Sequence, residues 1–378
     1  MNEQQVKEFL SALPPKPSPV VEPGRNGNPG EFNVGVIGLD HGHILGMCSG
    51  LRDAGAAIVL VYDRDTEKAA AFAKQFGAHI ARSEEEVLSA KNIHMIASAA
   101  VPCMRGPLGI RAMQAGKDYF VDKTPFTTKA QIAQARAVCR ETGRRYFCYF
   151  SERLHSEAGV LAGYLIDAGV IGRVLQIDGF GPHRIGDPAS RPEWFWKKRE
   201  SGGILCDIGS HQIEQFLFYT KAVNASVVSA RIANYAHPHA PEFEDFGDAM
   251  LTADNGATNY YRVDWFTAKG LSSWGDGRTI LLGTGGHMEL RKFVNLAASG
   301  EDKRGEMVLW ADEDGEHRIC AQGLTGFPFF GQMILDCLCR TERAMTQKHI
   351  FTAAELCIAC EEKAAVVEGS GILPVNNA

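Results

Sequence analysis

The sequence predicts an α/β protein: a doubly wound parallel sheet over residues 31–151, then an α+β domain with antiparallel strands over residues 152–378. Up to residue 150, short apolar runs alternate with helical stretches at the spacing of βαβ units. Beyond it, short strands follow one another with tight turns between them, such as Asp254-Asn255-Gly256. A chain of 378 residues is long enough for two domains, each with its own core.

Residues 1–30 stand apart. Residues 3–13 pattern as one short helix, and Pro14, Pro15, Pro17, Pro19, Pro23 and Pro29 then exclude regular structure. This is an extended N-terminal arm, either wrapped on a partner subunit or loose.

The chain proper opens with a strand through Val34, Val36 and Ile37, ended by Gly38. Asp40, His41, Gly42 and His43 lead into a helix, and the apolar run 57–62 is a second strand closed by Asp63. Strand, glycine turn, helix, strand, acid is the order of a dinucleotide-binding unit. The glycine lets backbone approach a diphosphate, the helix N-terminus offers N–H groups, and the carboxylate accepts ribose hydroxyls. In the G-x-G-x-x-G pattern Gly38 supplies the first glycine, while Asp40 and His43 stand in the second and third places. Asp40 repels a diphosphate unless it turns away to cap the helix.

The alternation continues. Residues 66–76 form a helix stopped by Gly77, and residues 80–81 a short strand. Ser83 to Glu86 reads as a capping box, residues 94–99 as a strand, and 107–115 as a helix. Residues 119–121 make a strand running into Asp122-Lys123-Thr124-Pro125; a helix over 128–142 and a strand over 146–150 complete the domain. In the second domain, helices are expected over 154–168 and 207–219. Strands fall at 174–180, 227–235, 248–253, 258–264, 279–283, 287–291 and 307–311. Helices over 330–340 and 352–368 close the chain and are able to pack back on the first domain.

Two further stretches carry chemistry. Lys123 ends a strand on the edge where parallel sheets bind ligands, an odd place for a solvated charge; a salt bridge is the alternative. In SGGILCDIGSHQIEQF, residues 201–216, Asp207 and His211 are four apart and share a face if the segment is helical. An acid beside an imidazole is a base assembly, unless Asp207 caps the helix and His211 packs in the core. The segment 181–201 is loop-like: Trp194 and Trp196 can stack on a sugar or pack inward, and His183 and Arg184 can bind hydroxyls or a carboxylate. His237 and His239 have a metal-like spacing without a third ligand, so no metal is expected.

The net charge of −6 offers no footprint for nucleic acid or an anionic membrane. No apolar run spans a bilayer and no secretory pattern opens the chain. The ten cysteines show no zinc spacing and read as reduced, buried thiols, with a cytoplasmic home.

Together these stretches resemble the Gfo/Idh/MocA family of oxidoreductases, over roughly residues 33–370. Its E-K-P signature corresponds to Asp122-Lys123-Thr124-Pro125. Its G-G-x-x-x-D-x-G-x-H-x-x-D pattern corresponds to Gly202, Gly203, Asp207, Gly209 and His211, with Glu214 in the last acidic place. Its tyrosine/arginine segment corresponds to Tyr149 and Arg153. The resemblance implies an N-terminal Rossmann domain and a C-terminal domain on a large, mostly antiparallel sheet. It implies a hydride transfer between NAD and a secondary hydroxyl of a sugar, polyol, inositol or glycoside. Lys123 would steady the alkoxide, His211 accept the hydroxyl proton and Asp207 orient the site. Gly38, Asp40, His41, His43, Asp63, Arg64, Lys123 and Arg153 would contact the cofactor. Asp63 favours NAD, while Arg64 keeps NADP open. An NAD-retaining glycoside hydrolase and a non-catalytic NAD-binding sensor are the alternatives. A homodimer or homotetramer is expected.

Overall fold

The structure is a computed structural model that describes residues 1–13 and 32–371; the proline-rich stretch of the expected arm lies outside the described residues. It divides into two compact units. One contains residues 32–149 and 328–351, the other residues 1–13, 150–327 and 352–371.

The chain opens with helix α1 (Glu3–Ala12), capped reciprocally by Asn2 and Gln5. The first unit then carries a parallel sheet of β1 (Asn33–Ile37), β2 (Ala57–Tyr62), β3 (His79–Ile80), β4 (Met95–Ser98), β5 (Asp118–Asp122) and β6 (Tyr146–Tyr149), in the order β3-β2-β1-β4-β5-β6. Helices α2 (His43–Asp53), α3 (Thr66–Phe76), α4 (Glu84–Ser89), α5 (Pro102–Gln114) and α6 (Lys129–Thr142) connect the strands. The order reverses between β1 and β4, the switch point at which open α/β sheets bind ligands.

Most boundaries follow from the sequence pattern, and two differ for local reasons. Helix α5 starts at Pro102, five residues before the expected 107, and so contains Pro107. Pro107 has no N–H for the carbonyl of Cys103 four residues back, and the Gln131 side chain donates to that carbonyl instead, at 2.9 Å. At α4 only half of the capping box forms. Ser83 Oγ accepts from Glu86 N, but the Glu86 carboxylate turns back to Arg82 N.

The second unit contains α7 (Ser151–Leu154), α8 (Glu157–Asp167), β7 (Val174–Pro182), α9 (Lys198–Ser201), α10 (Ile204–Asp207) and α11 (Gly209–Thr220). Strands β8 (Ala225–Ala233), β9 (Phe246–Ala253), β10 (Thr258–Asp264), β11 (Arg278–Gly283), β12 (Gly286–Arg291), β13 (Met307–Asp312) and β14 (Gly315–Cys320) follow. Helix α12 (Pro328–Cys339) belongs to the first unit; α13 (Gln347–Lys363) begins in the first unit, ends in the second and leads to β15 (Ala365–Val366). The nine-stranded sheet runs β14-β13-β12-β11-β7-β10-β9-β8-β15. It is mixed, since β7 pairs parallel to β10 and β15 parallel to β8. Strand β15 ends the last helix at Lys363, short of the expected 368. Strand β14 was not expected because an exposed edge leaves it largely polar.

All ten cysteines are free thiols; most are buried, but Cys320 and Cys339 are exposed. Among the described residues no helix is long and apolar enough to cross a membrane.

Candidate active site

The loop after β1 is pinned to the loop after β4: Ala99 N donates to the Gly38 carbonyl at 3.1 Å, and His41 N to the Ala99 carbonyl at 3.0 Å. Gly38 lies at φ +84°, and a Cβ there would stand 2.7 Å from Ala100 Cβ, so conformation and contact both require glycine. Beside it a cleft of about 200 Å³ is lined by Gly38, Asp40, Asp63, Arg64, Val101 and Met104, among others. Asp63 is fixed at the end of β2: its carboxylate accepts from Leu39 N at 2.6 Å and from Asp65 N at 2.8 Å. Arg64 beside it is exposed. Asp40 does turn away, but not to cap α2. Its carboxylate accepts from Val101 N at 3.2 Å, at the start of α5, and burial together with Asp63 raises its pKa.

His41 and His43 both turn Nδ1 to Asp122, at 3.1 and 2.8 Å. The buried Arg105 holds the same carboxylate at 3.1 Å and also donates to the carbonyls of Ala100, Lys123 and Thr124. Burial works against the charge on Asp122, but His43, Arg105 and His41 outweigh it and hold the carboxyl well below its usual range. Burial and His43 press His41 down to about 4, so it is neutral at physiological pH. The donor atoms of His41, His43 and Asp122 lie within 4.8 Å of one another. Arg105 balances the charge of the same carboxylate and ties the group into one hydrogen-bond network. Lys123 is buried directly after β5, and its bond to Thr124 is cis.

In the second unit Gly202 and Gly203, at φ +90° and +84°, turn the chain into α10. A Cβ on Gly203 would collide with the carboxylates of Glu244 and Glu361. Glu244 accepts from Ile204 N at 2.8 Å, Glu361 accepts from Leu205 N at 2.7 Å, and Lys198 bridges the two acids. Burial and the neighbouring Glu361 push Glu244 up to about 8. Asp207 ends α10, and His211, nearly fully buried, lies in the first turn of α11; the expected single helix breaks at Ile208.

Glu152 on α7 and Lys292 after β12 form a buried ion pair at 2.8 Å. Burial alone would raise the Glu152 pKa, but Lys292, His211 and His183 bring it down to about 2. Next to it on α7, Arg153 is bound by Glu214 of α11 and lies over the Phe218 ring, its guanidinium carbon 3.7 Å from the ring centre.

Residues 32–150 of this chain match the model of an oxidoreductase family with an NAD-binding Rossmann fold, and residues 161–289 match the GFO/IDH/MocA C-terminal domain. A solved structure from Erwinia carotovora atroseptica SCRI1043, carrying only the general designation oxidoreductase, is 47% identical. The match covers 89% of this chain and 100% of that one, with a TM-score of 0.85. The chain belongs to the Gfo/Idh/MocA family. Among curated proteins, an uncharacterized oxidoreductase of Streptococcus pneumoniae serotype 4 is 26% identical over 253 residues, which is 64% of this chain. A D-xylose dehydrogenase of Paenarthrobacter nicotinovorans is 26% identical over 152 residues, 38% of this chain. The matches span 64% and 39% of the lengths of those two relatives.

The first unit of this Gfo/Idh/MocA chain is thus an NAD-binding Rossmann domain. Its residues fit the dinucleotide: the glycine turn after β1 is kept, Asp63 is anchored at the end of β2, and Asp40 is tied to Val101 N. The loop candidates of the second unit have other partners. Arg184 donates to the carbonyls of Ala268, Leu271 and Ser273, which makes it a tie for that loop rather than a free substrate donor. The His183 ring packs against Trp274 and Trp265. Trp196 packs among His237, His239 and Phe243, and Trp194 lies beside Phe195. His237 turns Nδ1 to Asp245 at 2.9 Å. Sequence reasoning missed Arg105, Glu152, Glu244 and Lys292, charged residues that no motif marks.

Proposed function

We propose that this Gfo/Idh/MocA protein is an NAD-dependent dehydrogenase acting on a secondary hydroxyl of a sugar, polyol, inositol or glycoside. The observation that carries this reading is Lys123: a lysine only 4% exposed, at the C-terminal end of a Rossmann strand, in a segment that resembles the family signature. The curated D-xylose dehydrogenase supports the substrate class. Bound NAD supplies the hydride acceptor. In this reading Lys123 stabilises negative charge on the substrate oxygen, His211 takes the hydroxyl proton, and Asp207 orients the group that does so. The anchored Asp63 carboxylate favours a free ribose 2′-hydroxyl over a 2′-phosphate, hence NAD over NADP.

The nine-stranded sheet exposes Met250, Ile280 and Leu282 on one face, which supports a homodimer or homotetramer, to be checked by light scattering. The deciding experiment is incubation with NAD and a panel of aldoses, polyols, inositols and glycosides, following reduced cofactor. Turnover that falls about 10²-fold or more in Lys123→Ala with NAD affinity retained supports the assignment. Reduction of NAD by none of these compounds, or an unaffected Lys123→Ala, overturns it.

A further inference from the structure

Glu152 and Lys292 are among the most deeply buried charges of the second unit, at 1% exposure each. Burying an ion pair is costly and contributes little to stability by itself, so its surroundings must be arranged for it. Here the arrangement spans several elements. Lys292 Nζ donates to Glu152 at 2.8 Å and to Gln215 Oε1 at 3.1 Å, and Thr279 Oγ1 donates to the same Gln215 oxygen at 3.2 Å. The Gln215 amide donates to the His211 carbonyl at 2.9 Å. Gln212, next in chain to His211, donates to the same Glu152 oxygen that Lys292 holds, at 3.0 Å.

Two glycines make the room. A Cβ on Gly179 would collide with the Gln212 amide oxygen, and one on Gly181 would stand 2.8 Å from Gln212 Nε2. The second Glu152 oxygen, Oε1, is buried and receives no hydrogen bond among the described residues. A carboxylate held ionised with one oxygen unbound by donors keeps its field on nearby imidazoles, and His211 and His183 are among the groups that hold the Glu152 carboxyl down.

We propose that Glu152 and Lys292 are positioning residues for His211: the pair holds the first turns of α11 through Gln212 and Gln215 and sets the proton affinity of the His211 imidazole. This rests on the reading of His211 as the proton-accepting group. Other titratable groups on or around α11 include Tyr219 on the helix itself, His183 after β7, Asp207 on α10, Tyr261 on β10 and the Arg153–Glu214 pair. Neither Arg153 nor Glu214 is altered in the test. The two members of the proposed pair act in opposite directions. The carboxylate favours imidazolium and the ammonium disfavours it, so removing each alone moves the midpoint oppositely.

The test is an NMR titration of the His211 ring in the intact protein without substrate, assigned by loss of the signal in His211→Asn. Glu152→Gln lowers the His211 midpoint by about one pH unit, and Lys292→Met raises it by a similar amount. In the unmutated protein the labelled Glu152 carboxyl carbon shows an inflection at the His211 midpoint, which needs no variant of the pair to fold. Midpoints that stay within 0.2 of a unit (about the reading error of the method) in both variants, or a Glu152 signal blind to His211, overturn the proposal. Because no substrate is present, a protein that shows the shifts yet oxidises no alcohol would sink the dehydrogenase reading and leave the electrostatic coupling standing.

Discussion

Arg153 Nε lies 2.8 and 2.9 Å from the two carboxylate oxygens of Glu214, with Arg153 7% and Glu214 0% exposed. The sequence pattern placed both in a functional motif, and the structure gives them each other.

Removing one partner leaves a buried charge uncompensated. Arg153→Met is expected to lose about 3–5 kcal/mol of stability in chemical denaturation. The double variant Arg153→Met/Glu214→Leu recovers most of it, because no lone charge remains. NAD affinity by calorimetry in the double variant then separates the two roles: unchanged affinity means Arg153 is structural, and a large loss restores it as a cofactor contact.

Asp63→Ser removes the partner of Leu39 N and the carboxylate proposed to accept the ribose hydroxyls. NAD affinity falls about tenfold, in line with a charged hydrogen bond, and the preference over NADP narrows. Calorimetric titration with both cofactors reads this directly. An NAD affinity equal to the parent protein's would show that β2 does not present the ribose site.

Glu244 makes stability depend on pH. Its pKa is raised on folding, from an ordinary 4.5 to about 8, so the folded state binds the proton more tightly than the unfolded one. Its contribution is complete below about pH 4.5 and is lost as pH rises through about 8. Thermal melts should show the decline, and Glu244→Gln, which mimics the protonated acid, should flatten it. A parallel decline in the variant would assign the effect to another group.

In the first unit, Gly50 on α2 touches Phe330 on α12: a Cβ on Gly50 would collide with the Phe330 ring. Gly50→Ala is therefore expected to destabilise by about 1–3 kcal/mol, although alanine is the better helix former. Gly50→Ala combined with Phe330→Leu should recover part of the loss. A Gly50→Ala protein as stable as the parent in denaturant would show that the helices separate freely there.

Local chemistry carried far along this chain. The β2 and α3 limits, the Gly77 and Gly143 stops and the β9–β10 hairpin follow from patterns a few residues long. What failed was local only in appearance. The helix through Pro107 stands because Gln131, on another helix, takes the orphaned carbonyl. Asp40 caps the start of α5 rather than its own helix because the folded sheet brings Val101 N to it.

The sequence by itself determined the strand–helix alternation, the glycine turns and the motif acids and bases, since periodicity, capping and φ preferences act over single turns of chain. Only the tertiary structure decided which charges face each other: Arg105 with Asp122, Arg153 with Glu214, Lys292 with Glu152, and Lys198 with Glu361. Arg153–Glu214 joins residues 61 positions apart and Lys292–Glu152 residues 140 apart. A charge is tolerated in a dry interior where the fold brings a compensating charge or a set of hydrogen-bond partners beside it, and that is a property of three-dimensional proximity that no stretch of sequence encodes alone.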